Sequence, residues 1–347
     1  MKRITNILLL TATLLMTGCG GHYGIDDPNP EVLEGSYIFF DAGVTVTKGT
    51  LINDTTPLKT EGSSLGVLGF RPDGADIFLN HDNHVAQLTW GNSQFNYSPL
   101  ALWHAGEHVF HAYYPYGAST TAGKENDRPY VTYTQPTGIN TMVDFMTAST
   151  EASSGSPVTL PFVHRLFAFE VVLRNQHAVN SNQPSETVNK FRVKAVEVAF
   201  KAVTKSAKFY FNDADNDGNL DYVRSNDKIE LIKNEFGSID IPAPSADESH
   251  TNTSINGDNV FLFIPSPTLT VSYSMTYTNA WNEDCTYTLS DQTLSPTGGF
   301  LPGKKYALVI KKSQNGDLVE FTPSLELVYD GTNQWDETTP DIDIEFN

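Results

Sequence analysis

The chain is poor in cysteine and in positive charge. Its 347 residues include two cysteines, and 41 acidic residues stand against 22 basic ones, which gives a net charge of −19. This excess argues against a surface for nucleic acid or for anionic lipid headgroups, because both repel acidic proteins. Two cysteines cannot form the disulfide framework of small exported domains, so a hydrophobic core must hold the fold together.

Helical patterns and catalytic motifs are also missing. After the first 19 residues, no segment of twelve or more carries the apolar stripe of an amphipathic helix. The sequence has no nucleophile elbow, no phosphate-binding loop and no dinucleotide fingerprint. We therefore expect no catalytic residue, and we interpret the chain as a protein that is not an enzyme.

The N-terminus has the pattern of an export signal. Lys2 and Arg3 precede the apolar run Ile7 to Met16, and small residues lead to Cys19. The run is too short to cross a membrane, which takes about 20 apolar residues. A cysteine at the cleavage point predicts a lipoprotein signal at residues 1–18, with lipid on Cys19; an ordinary secretion signal with an incidental cysteine is the alternative. Removal of the signal takes the net charge to −21.

The remaining chain alternates apolar and polar residues with a period close to two. Residues 19–34 are polar and contain proline, as expected of a tether. The pattern predicts strands across the rest of the chain, including one long strand from Phe162 to Leu173, and a polar boundary near Asn175 to Glu186. We predict an all-β fold of two tandem β-sandwich domains, at residues 35–178 and 188–347.

Six segments, taken in order, resemble one known family. They are the signal ending at Cys19, Thr45–Thr50 with Leu65–Phe70, Leu102–Trp103 with Phe110–Tyr116, Asp144–Ala148, Val158–Phe167, and Phe300–Tyr306. The stretch Phe110-His111-Ala112-Tyr113-Tyr114-Pro115 is similar to a strand motif of the fimbrillins, the pilin subunits of type V pili. Phe300-Leu301-Pro302-Gly303-Lys304-Lys305-Tyr306 is similar to another of their motifs. The resemblance extends over nearly the whole chain.

The resemblance implies a fold and a mode of assembly. Fimbrillins have two Greek-key, transthyretin-like sandwiches and reach the outer membrane as lipoproteins. Proteolysis removes their first strand, and a strand of the next subunit fills the groove. The implied partners are other subunits in a homo- or heteropolymer, the membrane through the lipid anchor, and a receptor on a host or bacterial surface in cell adhesion.

Two segments match the two roles in such an exchange. Tyr37–Phe40 would be the outgoing strand, with trimming between Lys48 and Gly49. The family's protease prefers arginine, so lysine here leaves open an untrimmed anchor or accessory subunit. The incoming donor would be the C-terminal tail Asp341–Asn347, in which Ile342, Ile344 and Phe346 alternate with acidic residues. Pairing of this tail within its own domain is the alternative.

One acidic loop has the spacing of a calcium site. Asp213, Asp215 and Asp217 alternate, Gly218 allows a tight turn, and Asn219 and Asp221 follow. Alternating oxygen ligands around a turn suit calcium. Arg224 stands where an EF-hand has its glutamate, so this is no EF-hand. A structural calcium ion and a solvated acidic hairpin loop are the two interpretations.

Other reactive side chains receive structural interpretations. His104, His108 and His111 lie close in sequence, but His108 and His111 would face opposite sides of a strand, so we expect surface or half-buried histidines rather than zinc ligands. His164-Arg165 is interpreted as a satisfied core pair. Cys285 is expected to be a half-buried strand residue.

The alternative function is glycan binding by a lipid-anchored surface protein of the same fold class. Sugars stack on exposed aromatic rings, and the candidate platforms are Trp90, Trp103, Trp281 and, above all, Trp335. A secreted hydrolase is a third reading that has no motif in its favour.

Overall fold

The structure, a computed structural model, describes residues 35–44, 56–176, 191–212, 221–244, 250–257, 259–279, 282–315 and 318–329. Its strands, in chain order, are β1 Phe40–Val44, β2 Ser64–Phe70, β3 Ala86–Gly91, β4 Gln94–Asn96, β5 His108–Tyr114, β6 Thr120–Glu125, β7 Arg128–Thr134, β8 Met146–Ala152, β9 Val158–His164, β10 Phe167–Gln176, β11 Phe191–Thr204, β12 Ser206–Tyr210, β13 Tyr222–Arg224, β14 Lys228–Phe236, β15 Ile239–Ile241, β16 His250–Ser254, β17 Phe261–Phe263, β18 Leu269–Thr278, β19 Asp284–Leu294, β20 Lys305–Asn315 and β21 Leu318–Tyr329.

The predicted all-β class is confirmed. The only helices among the described residues are two single-turn 3₁₀ helices, Asp82–His84 and Ile139–Thr141. In the part of the chain that the structure describes, no helix is long and apolar enough to cross a membrane.

The strands build four sheets. The first has seven strands in the order β1-β9-β8-β5-β2-β3-β4, and the second has the order β16-β10-β20-β21 with β17 beside β10. The third has the order β14-β11-β18-β19 with β15 beside β11, and the fourth has the order β13-β12-β7-β6.

The seven-stranded sheet is buried on both faces. Val67, Phe110 and Ala112 point into a first core, together with residues of β1 and β9. Their neighbours Leu68 and Tyr113 point the other way, into a core shared with the four-stranded sheet. Because successive side chains alternate between faces, two cores on one sheet require apolar residues at adjacent positions.

The second and third sheets pack face to face as a β-sandwich. Phe167, Phe169 and Val171 of β10 meet Val198 and Phe200 of β11 in one core. The ring centroids of Phe169 and Phe200 lie 5.6 Å apart, edge to face. Aromatic pairs of this kind add to the stabilisation that burial alone provides.

The alternation of β11 is interrupted by a bulge. Val193 and Val196 are both buried in the same core, although three positions separate them. The register of β11 against β18 shifts between Val193 and Ala195, which restores the phase. A bulge of this kind adds one residue to one strand and lets both valines face inward.

The single long strand predicted from Phe162 to Leu173 is wrong. β9 ends at His164, and β10 begins at Phe167 in a different sheet. Backbone hydrogen bonds from Arg165 to Phe145 and from Gly303 to Leu166 hold the two residues between them. The sequence hides the break because only His164 and Arg165 interrupt the apolar residues on either side of it. The opening strand also differs from its predicted position at Tyr37–Phe40, since β1 starts at Phe40 and ends at Val44.

The predicted division into domains 35–178 and 188–347 stays a prediction. Its boundary falls mostly outside the described residues. Two sheets combine strands from both sides of it: β10 pairs with β20, and β12 pairs with β7.

A buried ion pair fixes the break between β9 and β10. Nδ1 of His164 lies 2.7 Å from Oδ2 of Asp144, and both side chains are 5% exposed. Arg165 donates from Nε to Thr147 Oγ1 at 2.6 Å, and its burial lowers its pKa to about 10. Both residues thus have a side-chain partner, but Nε2 of His164 is buried without a hydrogen bond, so the predicted satisfied core pair is confirmed only in part.

The charge of Asp144 determines how His164 titrates. Burial alone lowers the pKa of the imidazole, but the carboxylate raises it by its charge and hydrogen bond, and the net pKa lies above the ordinary value. The folded state therefore holds the proton more tightly than the unfolded chain. The resulting stabilisation is fully present below the unfolded pKa of about 6.5, and is lost as the pH rises through the folded pKa.

We predict that Asp144→Asn destabilises the fold by about 3–5 kcal/mol near pH 6, because a buried imidazolium loses its counter-ion. The cost should shrink as the pH rises past the folded pKa of His164. Urea unfolding of both proteins across this pH range measures it. Asp76→Asn is the matched control, since its partner His84 is exposed and such pairs contribute only about 0–1 kcal/mol. Equal costs for the two substitutions would contradict the prediction.

Candidate assembly site

The first strand lies at one edge of the seven-stranded sheet. β1 runs parallel to β9, with Phe40 opposite Val158 and Val44 opposite Phe162. Among the described strands β9 is its only ladder partner, so β1 is an edge strand of the described sheet. An edge strand is the part of a sheet that can be exchanged with the least loss of hydrogen bonds.

Side chains of this segment alternate between the core and solvent. Ile38, Phe40 and Ala42 are buried, with exposures of 0, 6 and 2%, whereas Tyr37 and Phe39 are 52 and 48% exposed. Fully burying a large apolar side chain contributes about 1.5–3 kcal/mol. Ile38 and Phe40 therefore supply most of the apolar stabilisation that this strand gives to the first core.

Phe40 lies in an aromatic pocket. Its ring centroid lies 5.4 Å from that of Phe110, 5.8 Å from Tyr97 and 6.3 Å from Phe78. The Tyr97 hydroxyl donates to the Ile38 carbonyl at 2.7 Å. Burial raises the pKa of Tyr97 to about 12, which keeps the hydroxyl protonated as a donor.

Residues just before β1 are hydrogen-bonded to the segment that follows β4. The Ile38 amide donates to the Ala101 carbonyl, and the Trp103 amide donates to the Ser36 carbonyl, both at 2.9 Å. This segment and β4 come from the opposite edge of the same sheet. The first strand thus closes the space between the two edges of the sheet over the first core.

A charged residue marks the outer side of β1. Asp41 is ion-paired with Lys59 at 2.7 Å, and its Oδ1 accepts the amide of Ala42. Charged residues on edge strands oppose unwanted strand pairing. If β1 left, the unpaired backbone of β9 and an apolar groove lined by Phe78, Tyr97 and Phe110 would be exposed.

The structure bears on only part of the predicted exchange site. Tyr37–Phe40 lies in the edge segment just described. Lys48 and Gly49 lie outside the described residues, as do Ile342, Ile344 and Phe346 of the tail, and Cys19. Tyr97 was missed by the sequence analysis, because it lies in a connection that bears no strand pattern.

Four of the five predicted calcium ligands also lie outside the described residues: Asp213, Asp215, Asp217 and Asn219. Asp221 is described, and its carboxylate forms an ion pair with Arg128. Within the described ranges, no group of three or more His, Cys, Asp or Glu side chains is arranged to hold a metal ion. Calcium in this loop stays a prediction.

The histidines near Trp103 are separated by the strand that carries them. His108 stacks with His104 and Phe110, and burial lowers its pKa. His111 lies on the other face of β5, where Nδ1 contacts Ser149 Oγ at 2.9 Å, and burial lowers its pKa to about 4. Cys285 is half-buried in β19, as predicted.

Comparison with known proteins identifies the group to which this architecture belongs. The family model described as fimbrillin-like matches residues 53–325, which is most of the chain. The chain belongs to the fimbrillin-like family. This membership supports a role as a fimbrial subunit at the cell surface, and it favours a structural protein over an enzyme. No curated protein matches the chain.

Several solved structures are similar to this chain, and one of them shares its fold. A fimbrial protein from Bacteroides vulgatus superposes with a TM-score of 0.53 at 17% identity, covering 84% of this chain and 99% of that one. A candidate cell adhesion protein from Bacteroides uniformis gives a TM-score of 0.45 at 14% identity, covering 84% of this chain and 98% of that one. A fimbrial assembly protein from Parabacteroides distasonis gives a TM-score of 0.35 at 14% identity, covering 84% of this chain and 96% of that one. The first of these structures shows a likeness of fold alone, and no argument is drawn from the other two.

We predict that Phe40→Ala lowers the free energy of unfolding by about 3–5 kcal/mol, because it empties the aromatic pocket beneath β1. The neighbouring substitution Phe39→Ala is the matched control. Phe39 is half exposed, and surface changes usually stay within about 0.5 kcal/mol. Denaturant unfolding of the two variants beside the unaltered protein measures the difference. Similar losses from both would show that β1 does not anchor through its inward face.

Proposed function

We propose that this fimbrillin-like protein is a pilus subunit that is exported as a lipoprotein and joins its neighbours by strand exchange after N-terminal trimming. The supporting observation is the first strand, an edge strand whose inward residues Ile38, Phe40 and Ala42 lie in the first core. Loss of that strand would leave a groove that another strand with alternating apolar residues could fill.

The geometry of β1 suits an element that is held first and removed later. It has one ladder partner, and it precedes Lys48 by only four residues, since it ends at Val44. Cleavage after Lys48 would separate the strand from the rest of the chain without cutting any other described strand. The remaining protein would keep the aromatic side chains that bind Phe40.

The C-terminal tail is the proposed donor. Ile342, Ile344 and Phe346 would take the places of Ile38, Phe40 and Ala42, while Asp341, Asp343 and Glu345 would face solvent. Burying three such side chains would contribute roughly 5–8 kcal/mol before the entropy of ordering is subtracted, at 1.5–3 kcal/mol for each large one.

The lipid on Cys19 would hold the precursor at the outer membrane, with the folded body exposed at the cell surface. Trimming after Lys48 would remove this anchor together with β1. A subunit that keeps Cys19 would serve as an anchor, whereas a trimmed subunit would enter the fimbria and support cell adhesion.

The glycan-binding alternative receives less support. Trp103 is 3% exposed and packs edge to face against His108 and Phe110. Trp90 packs against Phe95 with Lys59 over its ring. Neither ring offers a free stacking face. Trp281 and Trp335 lie outside the described residues, so the alternative rests on those two side chains alone.

We predict that limited digestion after Lys48 converts the chain, expressed from Gly20 onward, into oligomers that form a ladder in mild detergent. Replacing Ile342, Ile344 and Phe346 together by Asp should abolish the ladder, because charged side chains cannot enter the groove. Gel electrophoresis without heating, with mass spectrometry of the new N-terminus, measures both steps.

The matched control changes the other face of the tail: Asp341→Asn, Asp343→Asn and Glu345→Gln should leave the ladder intact. A Lys48→Gln variant should resist trimming and remain monomeric. A protein that is trimmed at Gly49 and remains monomeric would overturn the exchange mechanism.

A further inference from the structure

A cavity of about 740 Å³ lies where the sandwich meets the four-stranded sheet. Its walls are the end of β11 at Lys201–Thr204, the segment Tyr222–Asn226 with Lys228, and the segment Ser266–Thr270 that leads into β18. The chain passes from β11 to β12 at this point, and Ala202 adopts a left-handed backbone conformation with φ of 53°. The cavity is therefore built by the connection between two sheets.

The cavity is cationic in a protein of net charge −19. Lys201, Arg224 and Lys228 line it, and no lining residue is acidic. Lys201 is ion-paired with Asp291. Arg224 donates to the Pro265 carbonyl, and Lys228 donates to Thr204 Oγ1, so neither has a carboxylate partner among the described residues.

Most other described lysines and arginines of this chain are ion-paired, as Arg174 is with Glu326. Two cations that bond only to neutral oxygens at one cavity thus form a local positive field. Such a field attracts carboxylates, and more strongly in a recess than on an open surface. Val223, which is 59% exposed, lies on the same wall and offers an apolar contact beside the cations.

The end of the last described strand is connected to this cavity through two backbone pairings. β21 ends at Tyr329, which is opposite Lys305 at the start of β20. Phe300 lies five residues before Lys305 and exchanges two backbone hydrogen bonds with Ser266. Ser266 in turn lines the cavity. The following segment, residues 330–347, contains six acidic residues and no basic one. Eighteen residues can span about 60 Å when extended, which is enough for the segment to extend from Tyr329 to the cavity.

We propose that the acidic segment 330–347 docks in this cavity of its own chain, with its carboxylates on Arg224 and Lys228. The alternation of Asp341, Asp343 and Glu345 with Ile342 and Ile344 suits a site that combines cations with the exposed Val223. A tail that is bound in the cavity is not available to bind another subunit. The inference does not require the strand exchange proposed above, because the contact lies within one chain.

The experiment measures how accessible the tail is in the untrimmed monomer. The chain from Gly20 onward is treated with a Glu-specific protease, and release of the fragment that begins at Thr338, after cleavage at Glu337, is followed by mass spectrometry. The double substitution Arg224→Gln and Lys228→Gln should accelerate this release about fivefold or more, as should about 0.5 M salt.

Two further variants make the result specific. Lys194→Gln with Lys233→Gln removes the same charge from exposed strand positions away from the cavity, and should leave the rate unchanged. Asp341→Asn with Asp343→Asn keeps the folded body intact and should accelerate release as the cavity variant does. This second route tests the proposal even if the cavity variant folds poorly.

Equal rates in the unaltered protein, the cavity variant and the tail variant would overturn the inference, whether the tail is cut quickly or slowly in all of them. A tail that is protected through strand exchange instead would show protein-concentration dependence and no response to Arg224 and Lys228. Failure here leaves the ladder experiment unaffected, so the two proposals are separately testable.

Discussion

The buried pair of His164 and Asp144 is the constraint on which the arrangement of the sheets depends. It lies where the chain leaves the seven-stranded sheet and enters the sandwich within two residues. A buried charge is costly unless it is paired, so the break is tolerated only in the arrangement that joins these two groups. An apolar pair at the same place would allow β9 and β10 to continue as one strand. The polar pair specifies the turn, and the turn determines which sheet each strand joins.

The first strand obeys a different constraint. It contributes Ile38 and Phe40 to the core, and its described ladder runs to β9 alone, with a few backbone hydrogen bonds to the segment after β4, so much of its binding is apolar. Apolar contacts are weakly directional, and a different strand with the same alternation can replace them. Ladder bonds to a second neighbour would make the strand harder to exchange. Its position at the edge of the sheet, with a ladder on one side, makes β1 a suitable element for assembly.

Period-two alternation was enough to predict the all-β class, because one buried face leaves a clear pattern in the sequence. It failed between Phe162 and Leu173, where the alternating strand β9 is followed almost at once by β10, which is buried on both faces and has a continuous apolar pattern. It could not show the bulge near Lys194, which depends on the register with β18. Of the assembly site, the outgoing strand was predictable, whereas Tyr97 was not, because its role arises from a contact 59 residues away.

The acidic charge of the chain affects strand exchange between subunits. Subunits with a large excess of acidic residues repel one another, and the three acidic residues of the donor tail Asp341–Asn347 add to that repulsion when the tail approaches a neighbour. The apolar face of the tail must therefore provide more binding free energy than the charges remove. A cationic cavity on the same chain would neutralise the tail until a neighbour's groove opens, and would compete with exchange. The strength of that competition depends on salt, because the cavity contact is electrostatic and the groove contact is apolar.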